Sequence, residues 1–387
     1  MAGERSQLRQ RGQFPCRDQA HFYHPRSMRL PLFPLLRRVG GGLLTAACFV
    51  GAFGGSAHFI GARLPFPDVP EAGEKHRWFA EHGDRYDTIF LGSSRVRFQI
   101  VPAVFNQRAA ELGHPLTSFN AGVSAMNPPE DAFFFDHLMR APHPRLRWVF
   151  VELMPVWLKA DAGRRNGGRL AYWHDWERSV IMWESFTAEL AKTRKLFGKK
   201  SERRKPWIVR LALYREPVEL YWEHVRLWLQ CATNLGAAIP FTTADAGGSP
   251  SSASVVEDGW VRHPDTMEGA ALADYQDTYA ERLKTPQIAK PGNPAGATAL
   301  RRMLDKVARA GATPVLVIPP TTSPTRFEPP ADIQQSCIVL DFSDPRKYPE
   351  LFAPVNRLDS THLSAAGAPV YSRLVAERFA AALAARR

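Results

Sequence analysis

Short apolar segments that alternate with helical ones are the feature that most restricts the fold of this chain. Five such segments carry little charge, as expected of strands that are buried on both faces of a sheet. This β–α alternation predicts an α/β protein with a parallel, doubly wound sheet. The predicted strands lie at 87–91, 116–123, 148–153, 313–318 and 338–342, and the predicted helices at 128–140, 297–310 and 364–383, the last capped by Ser364.

Polar motifs follow several of these strand-like segments. The tripeptide GSS at 92–94 comes after the first strand, and NAG at 120–122 closes the second. A loop with Asp359 and His362 lies between the fifth strand and the closing helix. Because active sites gather at the carboxyl ends of parallel strands, we expect the three motifs to converge at one edge of the sheet.

Residues in these motifs have the chemistry of a serine nucleophile. A hydroxyl becomes a useful nucleophile when a base accepts its proton and a carboxylate orients that base. Ser94 is therefore the predicted nucleophile, with His362 as base and Asp359 as orienter. Asp341 is a rival orienter, although its place at a strand end favours a structural role. Taken singly, each motif also fits an exposed polar turn.

The order of the motifs resembles that of the SGNH (GDSL-like) hydrolase superfamily. The similar segments are LGSSR at 91–95, FNAGVS at 119–124 and DSTHLSAAG at 359–367, within a similarity that covers residues 85–155 and 297–385. The resemblance implies a flavodoxin-like sheet and serine esterase or acyl-transfer chemistry. It matches Ser94 to the nucleophile, Gly122 to the second-block glycine, and Asp359 and His362 to the last block. No cofactor is expected, and no Cys or His spacing suggests a metal.

Two departures from the family pattern affect the predicted site. Ser93 replaces the Asp of Gly-Asp-Ser members, which looks like membrane-anchored branches similar to alginate O-acetyltransferases and the D-alanyl-transfer protein of teichoic-acid modification. The Asn block is replaced by a stretch containing Glu152, whose ionised carboxylate cannot donate a hydrogen bond. The oxyanion hole is then expected to use the N–H groups of Ser94 and Gly122, with help from Asn120 or Asn127. Loss of one donor costs about 10²–10³ in rate, so a non-catalytic relative stays open.

Arginines flank the predicted nucleophile at Arg95 and Arg97. Their guanidinium groups could contact an anionic substrate, or they could simply solvate the turn. The sequence favours neither role.

The net charge of +12 is concentrated in two segments. Residues 1–38 hold eight Arg against Glu4 and Asp18, and residues 192–215 hold ten Lys and Arg against Glu202. The rest is close to neutral and has no nucleic-acid motif, so no nucleic-acid partner is expected. In 192–215 the cations alternate with apolar residues, which suits anionic lipid headgroups, a polyanionic glycan or a solvated helical face.

Residues 39–62 contain no Lys, Arg, Asp or Glu. A helix of this length could cross a hydrocarbon layer about 30 Å thick, and the preceding arginines predict that residues 1–38 are cytoplasmic. The prediction is a single-pass signal anchor of the inner or cytoplasmic membrane, a linker at 63–84 and a periplasmic or extracellular domain at 85–385. A cleaved signal peptide is the alternative, because GSA at 55–57 resembles a cleavage site.

An insertion at 160–295 interrupts the alternation. Its first part is rich in Trp and basic residues and has helical character, whereas 241–269 resembles a long loop. We interpret it as covering the active edge of the sheet, with a helical cap that contacts no substrate as the alternative. Cys231, in this insertion, could pair with Cys337, or both could be free buried thiols.

Together these features predict an extracytoplasmic serine esterase or O-acyltransferase. The substrate class is an acyl ester of a cell-envelope glycan or lipid, and a membrane O-acyltransferase is a partner by analogy with the related branches. The alternative function is a non-catalytic SGNH-fold component that binds or assembles an envelope polysaccharide machine.

Overall fold

A computed structural model describes residues 32–61, 63–156, 168–233, 257–263, 267–291 and 294–386. The chain divides into two compact units, Met1–Ala52 and Phe53–Arg387. The strands are β1 (Thr88–Leu91), β2 (Ser118–Asn120), β3 (Trp148–Glu152), β4 (Ile288–Pro291), β5 (Thr313–Ile318), β6 (Thr325–Glu328) and β7 (Ile338–Asp341). The helices are α1 (Leu32–Gly61), α2 (Ala72–His82), α3 (Ser94–Gln99), α4 (Pro102–Glu111), α5 (Pro128–Leu138), α6 (Gly168–Ala171), α7 (Trp176–Gly198), α8 (Lys200–Arg203), α9 (Trp207–Leu211), α10 (Arg215–Thr233), α11 (Gly269–Lys284), α12 (Pro294–Arg309), α13 (Ala331–Ser336), α14 (Pro349–Phe352) and α15 (Gly367–Ala384). Three short 3₁₀ helices lie at Gly83–Arg85, Ala212–Tyr214 and Pro354–Asn356.

The central sheet contains all five predicted strands in the order β2-β1-β3-β5-β7, and every neighbouring pair is parallel. The predicted α/β class with a parallel sheet is therefore confirmed. Counted along the chain, the five strands lie in the order second, first, third, fourth, fifth, as in one common type of doubly wound sheet. The order reverses between β1 and β3, which is where such sheets open a crevice for ligands.

Both faces of this sheet are covered. On β1, Ile89 and Leu91 face one hydrophobic core, whereas Phe90 between them faces the other. Helices α5 and α12 contribute to the first core, and α4 and α15 to the second. Since alternate strand residues point to opposite faces, burial on both sides requires apolar residues at nearly every position. This explains the continuous apolar runs in the sequence.

A second, two-stranded parallel sheet pairs β4 with β6. It was not predicted, because its strands carry polar residues such as Lys290 and Arg326 and the side chains of β6 are only half-buried. Neither the continuous apolar pattern nor strict alternation is present to mark these strands.

Helix α2 forms within 63–84, where the sequence predicted only a linker. Phe79 is buried in the core and Lys75 is fully buried. The Lys75 Nζ donates hydrogen bonds to the backbone carbonyls of Asn120 at 2.9 Å and Gly122 at 2.6 Å. The helix was missed because its sequence is mostly polar, and its burial depends on bonds to residues that are distant in the chain.

Helix α1 covers most of the predicted membrane segment. Its Gly41–Gly61 portion is, within the described residues, the helix that is long and apolar enough to cross a membrane. Large side chains on it, including Leu43 and Phe49, are exposed.

The described part of the insertion is largely helical. Helices α6 to α11 lie within it, and α7 packs against α10. Residues 257–263, from the predicted long loop, return to the central sheet, where the backbone N–H of Asn120 donates to the Asp258 carbonyl at 2.8 Å. Cys231 and Cys337 are both buried free thiols, and burial raises the pKa of Cys231 to about 12.

Candidate active site

A sharp turn joins β1 to α3 and presents Ser94 at the first position of the helix. Gly92 makes this turn with φ of 154° and lies against Glu152. A Cβ on Gly92 would lie 2.5 Å from the Glu152 Cβ, closer than two non-bonded carbon atoms can approach. Ser93 caps the helix, since its hydroxyl accepts a hydrogen bond from the Arg95 N–H at 3.3 Å. Only glycine fits this close strand-to-helix connection.

The loop from Arg357 to Leu363 is held by its own hydrogen bonds. The Asp359 Oδ1 accepts from the backbone N–H groups of Thr361 at 2.6 Å and His362 at 2.7 Å. The buried Arg357 donates from Nε to the Asp359 carbonyl at 3.1 Å and from Nη1 to the Pro320 carbonyl at 3.2 Å. These bonds fix the His362 side chain relative to the end of β5.

Ser94, His362 and Asp359 form a continuous hydrogen-bonded chain. The Ser94 Oγ lies 2.8 Å from the His362 Nε2, and the His362 Nδ1 lies 2.8 Å from the Asp359 Oδ2. The carboxylate therefore accepts the Nδ1 proton, which leaves Nε2 free to accept the serine proton. The structure thus brings together the three residues that the sequence predicts, although Ser94 and His362 are 268 positions apart in the chain.

The pKa of Asp359 lies well below its ordinary value. Partial burial acts to raise this pKa, but the hydrogen bond and charge interaction with His362 and the two backbone N–H groups outweigh it. Asp359 therefore stays ionised throughout the neutral range and keeps its role as acceptor for the imidazole.

Glu152, at the end of β3, organises the serine turn from the neighbouring strand. Its Oε2 accepts from the Ser93 N–H at 2.7 Å and from the Ser93 hydroxyl at 2.9 Å. Its Oε1 lies 2.5 Å from the Arg95 Nε. The sequence marked Glu152 only as a missing donor and gave no sign that it bonds to the residue beside the nucleophile.

Asn120 and Gly122, the other residues predicted for the oxyanion hole, bond to each other. The Asn120 Oδ1 accepts from the Gly122 N–H at 3.0 Å, and its Nδ2 donates to the carbonyls of Val96 at 2.8 Å and Ile100 at 2.7 Å. The Asn120 side chain thereby ties the end of β2 to α3. The Ser94 N–H makes no hydrogen bond to another described residue, so it is the donor in this set that is available to an oxyanion.

The two arginines near the nucleophile have different environments. Arg97 is buried, and its Nη1 lies 2.8 Å from a Glu71 carboxylate oxygen and 2.7 Å from the Ser124 hydroxyl. A substrate in solvent does not reach this buried ion pair. Arg95 is partly exposed beside Glu152, so it is the arginine of the two that a substrate can approach.

Beneath this part of the site, Lys75 is buried together with Arg97. Burial, followed by the charge of Arg97, lowers the pKa of Lys75 to about 7, although the Glu71 carboxylate acts in the opposite direction.

His263 is a residue near the triad that the sequence did not indicate. Its ring centroid lies 6.1 Å from that of His362, and its ring packs edge-on against Phe98 at 4.3 Å. Trp260 anchors the same segment by donating from Nε1 to the Phe98 carbonyl at 3.0 Å. Gly259, with φ of 76°, permits the approach, because a Cβ there would lie 2.3 Å from the Asn120 carbonyl oxygen. The insertion therefore contributes side chains beside the triad.

Asp341 is engaged away from His362. Its Oδ2 lies 3.0 Å from the Arg326 Nη1, and its Oδ1 accepts from the Ser343 N–H at 2.9 Å. The contact with Arg326 joins β6 to the end of β7, as expected for a structural role. Within the described ranges no group of three or more His, Cys, Asp or Glu side chains is arranged to hold a metal ion.

No protein-family model, curated protein or solved structure matches this chain. Inference about function therefore depends on the geometry of the site and on the motifs.

Proposed function

We propose that this chain is a membrane-anchored serine esterase or O-acyltransferase of the SGNH type. The observation that carries the proposal is the continuous hydrogen-bonded chain from the Ser94 hydroxyl through His362 to Asp359. Its place beside the reversal of strand order, at the carboxyl end of β1, agrees with the position of ligand sites in doubly wound sheets.

The proposed reaction passes through an acyl-enzyme. The Ser94 Oγ bonds to the carbonyl carbon of an acyl ester while its proton moves to the His362 Nε2. The tetrahedral intermediate collapses, the C–O bond to the leaving alcohol breaks, and His362 returns the proton to that alcohol. Water or a sugar hydroxyl then attacks the acyl group and gives its proton to His362, which restores Ser94 after the acyl group leaves. Asp359 remains ionised throughout and stabilises the imidazolium.

The proposed substrate is an acylated glycan or lipid of the cell envelope. Support comes from helix α1, which is suited to anchoring the enzyme in a membrane, and from the Gly-Ser-Ser resemblance. Hydrolysis and transfer would use the same three residues, so the choice depends on whether water or an acceptor hydroxyl reaches the acyl-enzyme. A membrane O-acyltransferase that supplies acyl groups is the proposed partner in the transfer case.

One observation favours a second function, in which the fold binds or assembles an envelope polymer without catalysis. The Gly122 N–H is already bonded to Asn120, and Glu152 offers a carboxylate near the turn where an oxyanion needs a donor. Each missing donor costs about 10²–10³ in rate, so a site whose oxyanion hole is reduced to the Ser94 N–H would catalyse the reaction slowly.

Active-site labelling tests the choice between the two. The full chain in detergent is treated with a fluorophosphonate, which bonds covalently to an activated serine, beside Ser94→Ala and Ser93→Ala. We expect labelling of the wild type and of Ser93→Ala, and none of Ser94→Ala. The Ser93 hydroxyl of the wild type is buried against Glu152, so its removal should not reduce labelling. A wild type that takes no label and hydrolyses no acetyl ester would remove the enzymatic proposal and leave the binding function.

A further inference from the structure

The helical insertion exposes several large apolar side chains. Outside α1, most of the exposed large hydrophobic residues in the described part of the chain lie on helices α7 to α10. On α10, Val218, Trp222 and Leu229 are spaced so that they share one side of the helix. We call the following residues the apolar face: Trp207, Ile208, Leu211, Val218, Trp222 and Leu229.

A run of basic residues directly precedes α9, the helix that holds Trp207, Ile208 and Leu211 of this apolar face. Six exposed basic residues between the end of α7 and α9 form no ion pair with any described residue. They are Arg194, Lys195, Lys199, Lys200, Arg203 and Arg204. Apolar side chains with Trp beside a cluster of Lys and Arg are the combination that binds the interface of an anionic bilayer.

The base of the insertion contacts the end of the helix that is suited to crossing a membrane. Trp228 of α10 packs on Gly54, where a Cβ would lie 3.3 Å from the indole ring. Trp228 also belongs to an aromatic cluster with Trp176 at 6.0 Å and Trp183 at 6.2 Å between ring centroids. Tryptophan is enriched where a membrane protein meets the headgroup region. The contact with Gly54 therefore places the C-terminal part of α10 beside the last turns of α1.

From these contacts we infer that α7 to α10 lie on the bilayer surface, with the apolar face inserted among the lipids and the basic cluster bound to anionic headgroups. This arrangement depends on α1 being in the membrane and does not depend on the chemistry of Ser94. It gives the protein a second membrane contact in addition to α1. This contact would restrict the motion of the α/β domain at the membrane surface.

A pair of matched positions allows a direct test. Ile208, on the apolar face, and Ile288, on β4, are exposed to 60% and 59%. Each is changed to Cys in a full-length Cys16→Ser, Cys48→Ser background, where the buried Cys231 and Cys337 are shielded from label. An environment-sensitive fluorophore is attached, and the protein is placed in vesicles of phosphatidylglycerol and phosphatidylcholine with and without brominated acyl chains. The background protein without a new cysteine controls for labelling elsewhere.

We expect brominated lipid to quench the fluorophore at position 208 and to leave position 288 unaffected. Neutralising the basic cluster should weaken the contact of the apolar face with the bilayer. The ratio of inserted to free apolar face should fall about fivefold for each charge removed. Equal quenching at the two positions, or none at either, would overturn the inference. So would a response of position 208 to an added anionic polysaccharide without quenching by lipid, which would assign the surface to a glycan.

Discussion

The Glu152 carboxylate holds both the backbone N–H and the hydroxyl of Ser93, at 2.7 and 2.9 Å, and so fixes the residue next to the proposed nucleophile. A side chain at the end of β3 thereby sets the geometry of a turn at the end of β1. The adjacent strands are in register from Thr88 with Trp148 to Leu91 with Val151, which brings the turn and the carboxylate together.

Glu152→Gln should destabilise the protein and weaken the serine site. The amide can still accept from Ser93, but its NH₂ would face the Arg95 guanidinium, so one buried interaction is lost. We expect the free energy of unfolding to fall by about 1–3 kcal/mol, towards the lower end because Arg95 is partly exposed. Thermal unfolding and fluorophosphonate labelling measure the two effects. Glu81→Gln, at an exposed position, is the control, and equal melting temperatures for the two variants would contradict the proposed role.

Asp359→Asn should reduce activity without unfolding the protein. The amide can present its NH₂ to the His362 Nδ1 and so favour the wrong tautomer, a change that costs about 10⁴ in rate in a serine triad. Hydrolysis of an acetyl ester gives the rate. Asp341→Asn, which alters the rival carboxylate bonded to Arg326, should leave the rate nearly unchanged. If Asp341→Asn were the more damaging variant, the assignment of the orienter would be wrong.

Lys75 should make stability depend on pH above neutrality. Its pKa is about 7 in the folded protein and near its ordinary 10.5 when unfolded, so the unfolded chain binds more protons between these values. Stability then rises with pH in that window, by at most about 1.4 kcal/mol per pH unit. The burial cost is fully present below about pH 7.

Comparison with Lys75→Met isolates this contribution, because the variant has no group to titrate at this position. Melting temperatures are measured for both proteins between about pH 6 and pH 9. We expect the wild type to gain stability relative to the variant as the pH rises. A constant difference across the range would show that Lys75 does not titrate there.

Gly92→Ala should displace the serine turn. The added methyl group would lie 2.5 Å from the Glu152 Cβ and 2.6 Å from a Val96 methyl, so the strand-to-helix connection must shift. We expect a loss of about 1–3 kcal/mol in stability and of most labelling at Ser94. Gly113→Ala is the matched control, since Gly113 has φ of 82° with nothing within 4 Å of a Cβ. Normal labelling of Gly92→Ala would contradict the steric argument.

The sequence by itself determined the strands of the central sheet and the pairing of Asp359 with His362. Both are local properties. A strand that is buried on two faces must be apolar along its length, and two residues three apart on one loop can meet through a single turn. The composition of 41–61 is likewise a local property, and it is sufficient to identify a helix that could cross a membrane.

Tertiary structure decided which polar groups are free to act. Ser94 meets His362 only because β1 and the loop before α15 end at the same edge of the sheet. Packing also buries Arg97 on Glu71 and engages the Gly122 N–H with Asn120, and the insertion brings His263 beside the triad. No sequence pattern contains these outcomes, because a hydrogen bond depends on a separation of about 3 Å between groups that are far apart in the chain.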